Sequence, residues 1–153
     1  PILKREGTPM VLKRESINVR LRKPNEVLEK LRGKEAIFLE EYRSNVDLQW
    51  SIERGLEVAS SLILDIGNHI LVGVFQISVD EYEQILSELK QQKVISEELY
   101  QELHGLGGFR NILVNGYLDL DHDLVYAHYR KALQVFPKFV FEIVEWLEEH
   151  GEG

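Results

Sequence analysis

Apolar residues recur along this chain at helical spacing, and the pattern predicts its elements. Ile17, Leu21, Leu28 and Leu31 keep one phase, with Ser16 as an N-cap, Pro24 as a kink and Gly33 as a stop. A short amphipathic turn, Glu35 to Tyr42, leads into a long helix from Asn45. In it Ile52, Leu56, Ala59, Ile63, Ile66, Ile70 and Val74 recur at steps of three and four, a bundle-facing stripe. Ser78 and the acidic residues behind it predict a third helix through Gln91, carrying Tyr82, Ile85, Leu86 and Leu89. Ser96-Glu-Glu opens a fourth, and Asp121 caps a last helix running to about Glu149. The last seam is Leu133, Phe136, Val140, Ile143 and Leu147, with Pro137 expected to bend it. Asn115-Gly116 reads locally as a hairpin turn, but two short runs cannot sustain a sheet, so it marks the end or break of helix four. The expected fold is all-α: an antiparallel four- to five-helix bundle over residues 16–150, preceded by a basic extension at 1–15.

Composition narrows the function. The chain has 153 residues, enough for one core, and no cysteine, which removes disulfide scaffolds, thiolate zinc sites and cysteine nucleophiles. No apolar run approaches the roughly 20 residues of a membrane span, and the early segment lacks the apolar run of a signal peptide. The expectation is a cytoplasmic protein without membrane partners. Met10, the only methionine, is a candidate start, which would set residues 1–9 apart. Charge is asymmetric: residues 1–34 hold ten Lys/Arg and four Asp/Glu, whereas the remainder is strongly acidic and brings the total to −8. A basic arm could reach for nucleic acid or lie against an acidic body, its own or a partner's, the second being the plainer reading. The acidic body argues against broad, sequence-independent DNA binding.

One residue breaks the apolar pattern. A helix continuous from Leu99 puts Leu99, Leu103, Leu106, Arg110, Leu113 and Tyr117 on one stripe, with Arg110 inside the seam. A guanidinium cannot deprotonate, so it needs a partner. It is paired internally, for instance with Asp65 or Glu57, or snorkels out at a bundle end, or it faces an anion such as phosphate, which its planar fork suits.

The stretch Gly108-Phe-Arg-Asn-Ile-Leu-Val-Asn-Gly-Tyr-Leu-Asp-Leu-Asp121 closely resembles the signature of the HepT toxins, a branch of the HEPN superfamily of helical ribonucleases. That signature is arginine, four residues, histidine, one residue, tyrosine. Ser51-Ile-Glu-Arg54 and Asp65-Ile-Gly-Asn-His-Ile70 resemble the family's second helix, and Phe136 to Ile143 its final one. The resemblance implies a metal-independent endoribonuclease that needs no cofactor: arginine binds the scissile phosphate, and histidine assists proton transfer as a ribose 2′-hydroxyl attacks. It further implies an RNA substrate, a homodimer with composite clefts, and a minimal nucleotidyltransferase antitoxin that adenylylates the motif tyrosine, Tyr117. Arg110 and Tyr117 match, but Asn115 holds the histidine's position. An amide does not titrate near neutrality, and a positioned acid/base group contributes about a hundred- to ten-thousandfold, so a weak or inactive nuclease is expected. The alternative is a non-enzymatic subunit that binds nucleotide or a nucleotidyltransferase.

The candidate catalytic set is therefore Arg110, Asn115 and Tyr117, with Arg110, Asn111, Asn68 and His69 as substrate-binding candidates. In an unbroken helix position 115 lies about 140° from Arg110, which calls for a break at Gly116 or a site shared between protomers. Tyr117 could equally be a core aromatic. Asp65 and His69 stand four apart and can pair locally. No metal site is expected among the histidines, and nothing fixes the distance of His122 from Arg110. Asp119, Asp121 and Asp123 alternate like a calcium loop without its glycine and glutamate, and capping explains them better.

Overall fold

The computed structural model describes residues 14–116 and 119–150. The sequence at 1–13, with Met10 and most of the basic extension, lies outside the described residues, as do Tyr117 and the side chains of Ser16 and Ile17. The described part is built of helices: α1 (Arg14–Arg32), α2 (Leu39–Ser44), α3 (Val46–Ile70) continued by a π-helical turn (Leu71–Phe75), α4 (Tyr82–Gln91), α5 (Glu97–Leu103), α6 (Leu106–Asn115) and α7 (His122–His150). The all-α bundle expected from the periodicity is the fold.

At the centre lies α3, packed by α1, α2, α4, α6 and α7. Its stripe of Ile52, Leu56, Ala59, Ile63, Ile66 and Ile70 is buried almost completely. Asn45 caps it, accepting from the Leu48 amide at 3.1 Å, which satisfies one of the first-turn donors no helix can pair internally. Although charged residues interrupt its apolar runs, Val46–Phe75 has the length and average composition of a helix that could cross a membrane. Here it serves as the core helix, and charged residues occupy its outer face.

The first helix runs antiparallel to α3, with Arg20 beside Asp65 at one end and Leu31 against Gly55 at the other. Its start at Arg14 corrects the expected cap, because Ser16 sits inside the helix. Neither proline ends its helix: Pro24 lies within α1 and Pro137 within α7. Pro137 has no N–H to give the carbonyl four residues back, and Arg32 Nη2 donates to that oxygen, on Leu133, at 2.8 Å. In the α7 seam Phe139 is fully buried, whereas Val140 packs only partly against the core. Asp121 caps α7 as expected, accepting from the amides of Asp123 and Leu124.

Two further starts differ from expectation. Helix α4 begins at Tyr82, with Glu81 and Gln84 forming a reciprocal capping box, so Ser78 lies outside it. The continuous helix expected from Leu99 to Tyr117 is broken. Its first part, α5, ends at Leu103, Gly105 turns left-handed at φ 91°, and α6 restarts at Leu106 to stop at Asn115. Glycine adopts that φ without a Cβ clash, so the chain breaks there as well as at Gly116.

Candidate functional site

The apolar seam survives the break: Leu99, Leu103, Leu106 and Leu113 are all buried. Arg110 is displaced to its edge and is half-buried on the wall of an open cleft of about 1240 Å³. The walls are the polar face of α3, the first turn of α4 and the first half of α6. On α3 this face reads Arg54, Glu57, Ser61, Asp65 and Asn68, at steps of three and four.

Two helices fix the Arg110 head. Its Nε donates to Ser61 Oγ on α3 at 3.1 Å, and its guanidinium carbon stands 4.8 Å from the centroid of the Tyr82 ring on α4. That distance is within the range of a cation–π contact. The internal ion pair weighed from the sequence is not made. Asp65 bonds Arg20 at 3.2 Å, and Glu57 bonds Arg54 at 3.0 Å. Glu83, a third carboxylate of the cleft, accepts from the amides of Gly105 and Gly107 at 3.0 and 3.1 Å. No carboxylate among the described residues forms an ion pair with Arg110. With Nε used and one face covered, the two Nη groups keep four N–H donors, the fork that matches two phosphate oxygens.

Of the other expected site residues, Asn111 and Asn68 line the same cleft. His69 does not; it is half-buried, and burial, reinforced by Arg20 and opposed by Asp65, lowers its pKa and leaves it neutral near pH 7. The local Asp65–His69 pair gives way to the ion pair of Asp65 with Arg20. Asn115 is exposed at the last position of α6 and is not part of the cleft wall. His122 stands elsewhere, 3.7 Å from Glu53 and edge-on to the Tyr42 ring. His128 stacks on Phe109 at 4.0 Å between centroids. No group of three metal-ligating side chains occurs among the described residues.

Ser61, Tyr82, Glu83 and His104 belong to the cleft and were not singled out from the sequence. The polar stripe on α3 was a readable signal for Ser61, since it mirrors the apolar stripe at the same period. Tyr82 was concealed by its place in the apolar phase of α4.

A helical bundle with an arginine free of ion pairs among the described residues, on the wall of an open cleft, suits a protein that grips anionic substrates. The profile of the ribonuclease HepT-like family matches residues 25–143, and the chain belongs to that family. It is 31% identical over 132 residues to the tRNA nuclease HepT of Aphanizomenon flos-aquae, covering 86% of this chain and 89% of that protein. Among solved structures, the cytosolic protein YutE of Bacillus subtilis superposes with a TM-score of 0.76 at 24% identity, covering 95% of this chain and 98% of that one. The tri-AMPylated HEPN toxin of Shewanella oneidensis, solved in complex with its MNT antitoxin, gives 0.70 at 22%, covering 88% and 99%. At these identities the structures speak for the fold.

Proposed function

We propose that this chain is the RNA-directed toxin subunit of a cytoplasmic toxin–antitoxin pair, with a minimal nucleotidyltransferase as its antitoxin, and that Asn115 impairs its cleavage. The observation that carries the reading is Arg110, held by Ser61 and Tyr82 with its remaining donors toward an open cleft. Asn111 and Asn68 add amide groups on the same walls and His69 stands beside Asn68. In this reading Arg110 binds the scissile phosphate while the neighbouring 2′-hydroxyl attacks the phosphorus, losing its proton to water, and the 5′-oxygen leaves, taking a proton from water, since Asn115 does not titrate. The step is metal-independent, because the guanidinium supplies the positive charge. Asn115 stands at the exposed end of α6, away from the cleft wall, which favours a homodimer whose composite cleft takes that position from one protomer and Arg110 from the other. Tyr117, the motif tyrosine, is the proposed site of adenylylation, which would add bulk and negative charge to the motif.

Cleavage of RNA tests the reading. Asn115→His is expected to raise the cleavage rate by about a hundred- to ten-thousandfold, the usual contribution of a positioned acid/base group. Arg110→Ala in that revertant should abolish the gain. Incubated with a nucleotidyltransferase encoded beside it and ATP, the chain should gain adenylyl mass on Tyr117, and Tyr117→Phe should not.

A second reading is a non-enzymatic subunit that binds nucleotide or presents substrate to a nucleotidyltransferase. Asn115 favours it, as do the carboxylates Glu57, Asp65, Asp80, Glu81 and Glu83 on the cleft walls, which repel a polyanion. A revertant that does not cut, together with retained nucleotide binding, would select it.

A further inference from the structure

We infer that the first turn of α4 is the positioning element for Arg110: Tyr82 sets the plane of the guanidinium, Glu83 sets the start of the helix that carries it, and together they aim the free Nη edge at an RNA phosphate. The last clause rests on the proposed reading of the cleft. Tyr82 remains 42% exposed, so its own burial does not account for its place. What its ring does is cover the Arg110 head at 4.8 Å. That contact uses the ring face and makes no demand on the hydroxyl.

Glu83 acts one step further back. The cap residue of α6 is Gly105, which has no side chain to satisfy the open amides of a helix start. The Glu83 carboxylate supplies the cap from another helix, taking the Gly105 and Gly107 amides with its two oxygens. A carboxylate at a helix start is also favoured by the helix dipole. These bonds fix α6 against α4 three residues before Arg110. They have a second effect, because they occupy the Glu83 charge within the cleft that holds the arginine. Freed from α6, the same carboxylate would compete with a phosphate for the guanidinium.

Gly107 completes the arrangement. A Cβ built there would lie 2.8 Å from the Glu83 amide nitrogen and 3.0 Å from the Tyr82 Cβ. The two helices can therefore touch closely enough for the ring to reach Arg110 and the carboxylate to reach the amides. Tyr82 and Glu83 are positioning residues, since they act on substrate through the arginine.

The test uses the full chain labelled with ¹⁵N and follows the arginine Nε–Hε resonances by NMR, with Arg110 assigned by its loss in Arg110→Ala. Arg110 should give a signal displaced by the Tyr82 ring current and slow to exchange with solvent. Tyr82→Phe should keep that signal, Tyr82→Leu should return it toward the exposed arginines, and Glu83→Gln should move it without melting the fold. Titrated with inorganic phosphate and with a short single-stranded RNA, Tyr82→Leu should bind about two- to fivefold more weakly than the parent and Tyr82→Phe should match it, the change carried by a solvent-exposed cation–π contact. An Arg110 signal and affinities unchanged in both Tyr82→Leu and Glu83→Gln would overturn the positioning role. If the variants move the signal as expected but neither phosphate nor RNA perturbs it in the parent, the phosphate reading of the cleft fails while the positioning of Arg110 stands.

Discussion

Gly107 and Tyr82 meet where α6 crosses the start of α4, so closely that an added methyl group at Gly107 would lie 3.0 Å from the tyrosine Cβ. Its neighbour Gly108 has nothing within 4 Å of the same construction. The two adjacent glycines should therefore respond oppositely to alanine. Gly107→Ala must force the helices apart against backbone and is expected to cost about 1–3 kcal/mol. Gly108→Ala gains helix propensity at an open position and should stabilise by up to about 1 kcal/mol. Urea unfolding of both variants checks the sign, and equal effects would contradict the packing described.

Arg32 and Pro137 are coupled through one carbonyl. Because Arg32 donates to the Leu133 oxygen that the proline leaves open, Arg32→Ala should cost about 1–2 kcal/mol. In a Pro137→Ala background residue 137 regains an N–H for that oxygen, and the same arginine substitution should cost clearly less. A double-mutant cycle measures the difference, and additive effects would rule out the coupling.

Glu142 on α7 holds the start of α5 with both oxygens. The Ser96 amide donates to Oε1 at 2.7 Å and the Ser96 hydroxyl to Oε2 at 2.8 Å. Ser96 Oγ meanwhile accepts from the Leu99 amide at 3.1 Å, so the cap and the interhelical bond share one side chain. Glu142→Ala is expected to lower stability by about 1–3 kcal/mol, with faster amide exchange concentrated in α5. Uniform exchange across the bundle would argue against a local cap.

The response to pH follows from half-buried imidazoles. Burial, helped by Lys131, lowers the pKa of His128, and burial lowers that of His69. A histidine depressed in the folded state holds fewer protons there than in the unfolded chain. Its stabilising contribution is complete above the unfolded value of about 6.5 and is lost as pH falls through the folded value. Glu53, raised by burial, works in the opposite sense at lower pH. The melting temperature should fall between pH 7 and pH 5.5, and His128→Phe, which can keep the stack on Phe109, should flatten that slope. An unchanged slope would remove His128 as its source.

The long elements were legible because their burial is periodic: the α3 stripe and the Asp121 cap of α7 follow from spacing and side-chain chemistry alone. The break at Gly105 was not, since α5 and α6 keep one apolar phase across it and only the packing on α4 selects the left-handed turn. Arg110 was legible as an anomaly in that phase, whereas its partners Ser61 and Tyr82 lie 49 and 28 residues earlier in the chain. The same limit applies to Asp65, whose partner Arg20 is 45 residues away, and to the donor that answers Pro137. Sequence spacing finds the residue that needs a partner, and the tertiary fold chooses which one it gets.

The hydroxyls of Tyr126 and Tyr129 on α7 donate to the carbonyls of Ile37 and Leu31, across 89 and 98 residues of chain. During synthesis the segment from α1 to α2 is therefore made long before its final clasps exist. It can lie against α3 early, but the bundle closes only when the last helix has left the ribosome, so a chain truncated before α7 would expose the apolar side of its first half and be a substrate for chaperones and proteases.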